Sequence, residues 1–515
     1  MAESGARKWI ITVTVILASL LEVVDTTVLN VSLPQIMGNL GATLEEVGWL
    51  ITAYAVANVI ILPMAGWLAA KFGRRNYFAF SIFLFTIASF ACGNSTNIWE
   101  LVFFRFMQGI GGGALLSLSQ AILFETFKPE ERGMATAIFG LGVVIGPTLG
   151  PTIGGYITDN FSWPWIFYIN IPLGILAIIM TLTFIKDSVH NRNVDTVDYL
   201  GILLLIIGIG SLQVVLERGE SEDWFDTTYI IVLAVLSAIG LISFVWRELT
   251  TEHPIVDIRI LKDRSLSVGM IFTFILGFGM YASVFVFPIF CQNLLGMTAQ
   301  QTGELMIPSG LITIFVMPLV GTLLKKGFPP QIMAAFGFIM FFTFTSMLSK
   351  ANLSSGADDF YIPLLFRGIG LGFLFVPLTS MALSNVKMHD MAQGTGLNNM
   401  MRQLGGSFGI ALMTTFIQNR MVFHRINLLD NITQYNTPFN ERFSMYTNNF
   451  LSKGFPLEEA HRLANRAMEG IVYKQSTLLT YTECFYIVGV FFLCCVPLLV
   501  LQIRKKKTAI ILDAH

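Results

Sequence analysis

The chain has few charged residues for its length. Asp, Glu, Lys and Arg make up 13% of its 515 residues, against roughly 25% in soluble domains. Hydrophobic residues make up 54%, and the mean hydropathy is +0.67. A soluble globular protein is therefore excluded, and a polytopic membrane protein is indicated. The net charge of −1 supplies no excess of positive charge that would favour nucleic acid as a partner.

Enzyme signatures are also missing. The five cysteines show neither metal-ligand spacing nor a disulfide framework. The sequence contains no phosphate-binding loop, no H-E-x-x-H metal motif and no G-x-S-x-G nucleophile elbow. The glycines at 109–113 resemble a dinucleotide loop only superficially, because no soluble strand–helix unit surrounds them. We therefore predict no enzyme, no metal site and no cofactor, with a proton gradient as the energy source.

Apolar runs long enough to cross about 30 Å of hydrocarbon recur throughout the chain. An even number of spans places both termini on one side, and lysine and arginine mark the cytoplasmic side. Short loops assigned outside carry only Arg218 and Lys350 as basic residues. The predicted fold is an all-α membrane protein with both termini cytoplasmic and fourteen transmembrane helices, at 9–29, 47–70, 77–91, 98–124, 134–157, 163–185, 199–216, 229–246, 266–290, 305–324, 332–348, 361–383, 397–417 and 485–501.

An internal repeat divides the chain into two parallel halves. The pattern P-x-x-G-x-L-x-x-K at 63–71 recurs at 318–326, and a helix-starting capping pattern precedes each copy. Parallel halves indicate a transporter whose substrate cavity lies between them. We assign 1–190 to an N-terminal six-helix half, 191–262 to two inserted helices, and 263–515 to a C-terminal six-helix half that includes an extracytoplasmic loop at 418–483.

The apolar stretch 140–156 is unusually rich in glycine and proline. Glycine at every fourth position strips one flank of a helix of side chains, so that a second backbone can approach closely. Prolines remove backbone donors and favour a bend. We predict a gating interface, with a packing helix that has no transport role as the alternative. The residues concerned are Gly142, Gly146, Pro147, Gly150, Pro151 and Gly154.

Ionisable residues inside the predicted spans are the candidates for chemistry, because each costs at least roughly 2.5 to 3.5 kcal/mol at mid-membrane. Glu22 and Asp25 share one face of span 1, and Arg105 lies in an aromatic stretch of span 4. We predict that these three serve proton coupling and substrate binding. The alternatives are a helix-end cap or a silent ion pair for Asp25 and a position near a leaflet edge for Glu22.

The two halves differ in these charges. The positions of the second half that match Asp25, 279 and 280, are uncharged, so packing alone does not explain the carboxylate. Arg367 and Arg402 are the candidates of the second half. A side chain that snorkels to the membrane interface is the alternative for Arg367.

Several motifs resemble those of one transporter family. The segment 142–155, G-x-x-x-G-P-x-x-G-P-x-x-G-G, resembles the antiporter motif of major facilitator drug/proton exporters, and 21–34 and 101–109 resemble that family's motifs in spans 1 and 4. Segments 163–174 and 402–406 resemble signatures of the fourteen-span branch. A cytoplasmic loop motif is carried by Gly66, Lys71, Gly73, Arg74 and Arg75. Ala70 stands where many members have aspartate, which puts the usual charge latch in doubt.

This resemblance implies proton-coupled export of hydrophobic toxic compounds across a bacterial inner membrane. It also implies that span 10 faces the glycine flank, and that the pump works with a periplasmic membrane-fusion adaptor and an outer-membrane channel. Apolar residues at helical spacing in 456–476 predict an amphipathic helix that docks the adaptor, lies on the outer leaflet or caps the transporter. Alternative functions are a substrate-specific transporter for a metabolite or lipid and a membrane receptor without transport.

Overall fold

The computed structural model describes residues 5–188, 197–430, 432–433 and 435–502, and all regular structure within these ranges is helical. We number the long helices in chain order. They are α1 (Ala6–Leu40), α2 (Leu44–Phe72), α3 (Arg74–Gly93), α4 (Ile98–Thr126), α5 (Arg132–Asn160), α6 (Trp165–Phe184), α7 (Tyr199–Arg218), α8 (Thr228–Thr250), α9 (Arg264–Leu294), α10 (Ala299–Lys325), α11 (Pro330–Leu348), α12 (Asp358–Ala382), α13 (Met391–Leu429), α14 (Thr437–Ser452) and α15 (Leu457–Cys495).

Every predicted span coincides with one of these helices, and the all-helical fold is confirmed. Among the described residues, 12 helices are long and apolar enough to cross a membrane. The helices α5 and α13, of 29 and 39 residues, pack among these 12 at the fifth and thirteenth predicted positions. The chain is therefore a multi-pass membrane protein. The count of fourteen spans stays a prediction, which requires α5 and α13 to cross the membrane as well.

The repeat appears in the structure as equivalent helix starts. Thr43 begins α2 with a capping box, in which Glu46 N donates to Thr43 Oγ1 at 3.2 Å and Thr43 N donates to Glu46 Oε2 at 2.8 Å. Thr298 and Gln301 form the same reciprocal pair at the start of α10, at 3.1 and 2.9 Å. Each pair satisfies backbone donors that a helix N-terminus would otherwise leave free. The two halves thus begin their second helices in the same way.

Helix interruptions occur at defined places. Helix α4 breaks at Gly113 and Ala114, α7 contains a π-turn at Ile206–Gly210, and α9 ends in a π-turn at Phe290–Leu294. The expected bend of α5 does not break that helix, which stays helical from Arg132 to Asn160.

The segment 418–483, predicted as a loop, is largely helical. Helix α13 continues beyond its predicted span to Leu429, α14 follows, and α15 runs without a break into the last span. At about 1.5 Å per residue, α13 extends some 18 Å beyond position 417. A bidentate ion pair joins Arg420 of α13 to Glu483 of α15, with Nη2 to Oε1 at 2.6 Å and Nε to Oε2 at 2.8 Å. The extension is therefore a helical bundle anchored to the membrane helices.

The amphipathic helix predicted at 456–476 is the first part of α15. Its apolar stripe is not free, because Ala460 and Ala464 are fully buried where α15 packs on α14. The prediction that this stripe faces a partner protein is wrong for these two residues, since the stripe already closes the hairpin of α14 and α15.

Candidate functional site

Asp25 lies at the centre of a buried hydrogen-bond cluster in the N-terminal half. Arg105 Nη1 lies 2.5 Å from Asp25 Oδ2, while Gln108 Nε2 and Asn170 Nδ2 donate to Asp25 Oδ1 at 2.8 and 2.7 Å. All four side chains are at most 3% exposed. The predicted pairing of Asp25 with Arg105 is thus present, and its place in the core excludes a helix-end cap.

Three helices meet at this cluster. Arg105 and Gln108 are three residues apart on α4 and therefore share a face, which lets Arg105 Nη1 also donate to Gln108 Oε1 at 2.7 Å. Asn170 begins the second segment of α6. The guanidinium carbon lies 4.3 Å from the ring centroid of Tyr54 on α2, so an aromatic face covers the ion pair. Three side chains, two from α4 and one from α6, thus donate to one carboxylate.

The hydrogen bonds of the cluster suit an ionised Asp25, which can only accept. An ionised Asp accepts hydrogen bonds through both oxygens, whereas a protonated Asp presents one donor instead. A proton on Asp25 would therefore weaken its bonds to Arg105, Gln108 and Asn170 together. Gln108 and Asn170 carry no charge and were not identified from the sequence, although an amide in an apolar span is a signal that could have found them.

Glu22 lies apart from this cluster, although it shares span 1. Its Oε1 accepts from Asn58 Nδ2 at 2.8 Å, and its Oε2 is buried with no hydrogen-bond partner among the described residues. The side chain is only 4% exposed, so it is buried inside the protein, while its depth in the membrane stays a prediction. Arg402 of α13 exerts an electrostatic attraction on Glu22 from the other half.

Arg402 is the cation of the half interface. It is 2% exposed, its guanidinium carbon lies 5.6 Å from the ring centroid of Phe375, and it faces Tyr281. Its Nη1 has no hydrogen-bond partner among the described residues. Glu22 of one half and Arg402 of the other are thus both buried, each with one atom that makes no hydrogen bond among the described residues, and they form no ion pair with each other there.

Further buried polar atoms without a hydrogen-bond partner among the described residues lie on α2, α4 and α13. Buried polar groups are nearly always bonded, so a cluster of unused ones marks a place where a ligand or water binds. Asn399 Nδ2 of α13 donates to Gln120 Oε1 of α4 at 3.2 Å, which joins the halves. These uncharged residues carry no charge signal in the sequence and were not predicted. The unused atoms in the described residues of α2, α4 and α13 are Tyr54 Oη, Ser117 Oγ, Gln120 Nε2, Asn398 Nδ2 and Asn399 Oδ1.

Arg367 does not snorkel to an interface. It is 2% exposed and donates through Nε to Ser283 Oγ and through Nη1 to Ser309 Oγ, both at 3.1 Å. Its partners are neutral hydroxyls, whereas the partner of Arg105 is a carboxylate. The two halves therefore bury an arginine in different electrostatic settings.

The glycine flank of α5 packs on α1, and the predicted partner, span 10, is wrong for this flank. A Cβ on Gly146 would lie 2.5 Å from Val23 Cγ1, a Cβ on Gly150 would overlap Thr27, and a Cβ on Gly154 would lie 2.8 Å from the Val28 carbonyl oxygen. By analogy with the family, α5 and α10 would face each other across the half interface through the glycine flank. The glycine face of α5 instead points into its own half. Gly142 has room, with no atom of another element nearer than 3.8 Å to its Cβ.

Helix α10 instead contacts other positions of α5. A Cβ on Gly303 would lie 2.8 Å from Thr152 Oγ1, and one on Gly321 would lie 3.0 Å from the Gly133 carbonyl oxygen. Helix α5 is thus held between α1 and α10, so that it joins the helix of Asp25 to the opposite half. Pro147 is buried in this helix, and the side chain of Pro151 lies outside the described residues.

The cytoplasmic loop motif ties together the helices of its own half. Arg74 Nη1 lies 2.6 Å from Glu125 Oε2, and the backbone N of Arg75 donates to Asp187 Oδ1 at 2.9 Å. Gly73 has a φ of +82°, a conformation that favours glycine. Gly66 reaches the other half, where its Cβ position lies 2.7 Å from the backbone N of Gln393.

A charge link between the halves exists elsewhere at this end. Glu131 lies 2.5 Å from Lys8 Nζ and 3.4 Å from Lys325 Nζ, and the hydrogen bond from Lys8 lowers the pKa of Glu131. Because Lys325 is half-exposed, this link is weak. Close backbone contact through Gly66 and Gly396 therefore holds the halves together where the family pattern has an aspartate in place of Ala70.

Repeated helices packed around a charged interior are the arrangement of a secondary membrane transporter. The model of the Major Facilitator Superfamily matches residues 15–410. The chain belongs to the Major Facilitator Superfamily.

Relatives of known name share most of the chain. Identity is 35% over 435 residues to the multidrug export protein EmrB of Escherichia coli (strain K12), with 84% of each chain covered. It is 35% over 447 residues to EmrB of Haemophilus influenzae, with 87% of each covered. The fatty acid resistance protein FarB of Neisseria gonorrhoeae is 33% identical, with 96% of each covered. The chain is thus similar to EmrB-type pumps.

Solved structures support the fold. The human organic anion transporter MFSD10 superposes with a TM-score of 0.59 at 12% identity, covering 94% of this chain and 99% of that one. The proton:xylose symporter XylE superposes with a TM-score of 0.56 at 14% identity, covering 96% of each. At these identities the likeness concerns the fold alone.

Proposed function

We propose that the protein is a proton-coupled multidrug efflux antiporter of the bacterial inner membrane, with Asp25 as the proton-binding group. The observation that carries this proposal is the buried Asp25–Arg105 pair at 2.5 Å. The names of the EmrB relatives support export of drugs. A mid-membrane carboxylate bound by a competing cation is suited to exchange of a proton.

The contacts indicate how the proton acts on the fold. A proton from the outer side binds Asp25, the attraction to Arg105 falls, and α1 is released from donors on α4 and α6. Because α1 packs closely on the glycine flank of α5, and α5 on α10, a shift of α1 is passed to the half interface. Loss of the proton to the cytoplasm restores the pair and resets the cycle.

The substrate site in this proposal lies between Glu22 and Arg402. Glu22 offers an unused acceptor and Arg402 an unused donor, while Tyr54 and Phe375 supply aromatic surface near them. Such a site suits hydrophobic compounds that carry a cationic or a weakly acidic group. The relative FarB, whose name gives fatty acid resistance, supports the acidic class.

We also propose that the helical extension docks a periplasmic adaptor that leads to an outer-membrane channel. Ala460 and Ala464 of the α15 stripe are buried, but the extended end of α13 exposes large apolar side chains, each at least 44% exposed. These are Val422, Phe423, Ile426 and Leu429. Exposed apolar groups that cluster beyond a membrane span favour contact with another protein.

Transport by purified protein in liposomes tests the function. With a pH gradient imposed, the protein should move a fluorescent cation against its concentration gradient, and dissipating the gradient should stop that movement. Transport at the same rate without a gradient would instead support a substrate-specific facilitator.

A further inference from the structure

The inserted helices α7 and α8 belong to neither half of the repeat, and α7 packs on both halves. It contacts α2 of the first half and α13 of the second. Towards the loop-motif end, α2 and α13 touch directly, since a Cβ on Gly396 would lie 2.5 Å from the Leu62 carbonyl oxygen. Towards the other end, α7 lies between α2 and α13.

Two adjacent residues at the end of α7 bind different halves. Arg218 Nη1 donates to the Glu45 carbonyl oxygen of α2 at 3.1 Å, and its guanidinium carbon lies 5.2 Å from the Trp49 ring centroid. Glu217 Oε1 instead accepts from Ser407 Oγ of α13 at 3.0 Å. Successive helix positions differ by about 100°, so a single turn contacts both halves. Separation of the halves at this end must break one of these sets of bonds.

The contact with α13 is a cluster of three side chains. Gln213 Nε2 donates to Glu217 Oε1 at 2.9 Å and to Ser407 Oγ at 2.7 Å. Gln213 is fully buried, and its Oε1 has no partner among the described residues. Amide and hydroxyl groups can both donate and accept. The cluster can therefore hydrogen-bond Glu217 with or without a proton, whereas Arg105 can only donate to Asp25.

Glu217 has no ion pair among the described residues. The charged and titratable residues on the surrounding helices make contacts with residues other than Glu217. Arg218 pairs with Glu222 at 2.9 Å, Arg402 of α13 faces Tyr281 and Phe375, Glu45 of α2 contributes its carbonyl, and Tyr229 of α8 faces Glu222. An unpaired carboxylate in a membrane helix is costly, and adding a proton removes that cost.

We propose that Glu217 is a second proton-binding carboxyl, separate from Asp25, and that its proton decides whether α7 stays bonded to α13. The charged carboxylate accepts from Ser407 and Gln213, which holds α7 to the second half. The protonated carboxyl loses its attraction for these donors and gains an O–H that the unused Gln213 Oε1 can accept after the amide rotates. Ser407 is then released, and the halves can part at this end. The predicted topology places Glu217 on the extracytoplasmic side, from which the proton comes and to which it returns.

Glu217→Gln removes the titratable group and keeps its shape, and Asp226→Asn is the matched control. Asp226 is an exposed acid in the turn after α7. Infrared titration of the purified full chain should show a protonated-carboxyl band that is missing in Glu217→Gln and present in Asp226→Asn. Equal bands in parent and both variants would overturn the proposal. Because this readout needs no transport, it decides the role of Glu217 even if proton-driven export is not observed.

Export in liposomes supplies the second readout, which rests on the proposed function. Glu217→Gln should lose the dependence of the export rate on outer pH while Asp25 still drives export. Ser407→Ala keeps the carboxyl but removes a donor to its charged form, so the midpoint of the pH profile should move up by about one unit. A uniform fall in rate at every pH in both variants would show a structural role only and would contradict the proposal.

Discussion

The backbone of Gly150 lies directly against Thr27, two residues beyond Asp25 on α1. A Cβ at position 150 would lie only 2.6 Å from Thr27 Cβ. The backbone of α5 therefore packs directly on side chains of α1, the helix that carries Asp25. Any motion of α1 must move α5 or separate the two helices.

Substituting this flank should disable export. Overpacking of a close contact costs about 1 to 3 kcal/mol, so Gly150→Ala and Gly146→Leu should lower the export rate by about fivefold to about a hundredfold if the cost falls on the transport step. Gly142→Ala is the matched control, because its Cβ position has room, and it should keep the parent rate. The rates are measured in liposomes with equal amounts of inserted protein. Equal losses at all three positions would contradict the contact described here.

Arg105 and Arg367 should respond differently to lysine. Arg105 binds a carboxylate and Gln108 through one planar group, so Arg105→Lys keeps charge but loses the geometry and should retain only part of the coupling. Arg105→Ala leaves Asp25 without its cation. Breaking a buried ion pair in this way should lower the free energy of unfolding by about 3 to 5 kcal/mol. Arg367→Lys should keep coupling, because its partners are neutral serines. Protons moved per substrate, measured in liposomes, distinguish these outcomes.

Glu22 should select substrates by charge. Glu22→Gln keeps the bond to Asn58 but removes the negative charge from the interior, so the affinity for cationic substrates should fall about tenfold, or about 1.4 kcal/mol. A neutral substrate should bind with unchanged affinity. Binding of the two classes to purified protein checks this. A fall of the same size for both classes would show that Glu22 maintains the fold and does not recognise charge.

The helical extension should dock an adaptor through α13. Phe423→Asp and Ile426→Asp place charge on exposed positions and should reduce adaptor pull-down, while transport in liposomes survives. Ala464→Asp places charge in the buried contact of α14 and α15, so it should lower the melting temperature of the protein. Undiminished pull-down and full drug resistance in cells with both α13 substitutions would show that the adaptor binds elsewhere.

Local patterns predicted the helices and the charges, while contacts between distant helices were harder to predict. Hydropathy located long helices at all fourteen predicted positions, and the cost of a buried charge identified Asp25 and Arg105 as candidates. The partner of the glycine flank was predicted wrongly because a helix face without side chains does not specify which helix packs against it. The uncharged donors Gln108 and Asn170 were missed because an amide is cheaper to bury than a charge and gives a weaker signal. The position of α7 between the halves depends on tertiary packing, which the sequence repeat does not predict.

The most direct test of the account is pH-gradient-driven transport by Asp25→Asn in liposomes. Asparagine keeps the size of the side chain and one acceptor oxygen but cannot exchange a proton. We expect gradient-driven export to fall to the level of empty liposomes, with unchanged insertion and oligomeric profile. Asp226→Asn, the same change at an exposed site, should transport like the parent. Equal pH-driven export by Asp25→Asn and the parent would contradict Asp25 as the proton-binding group.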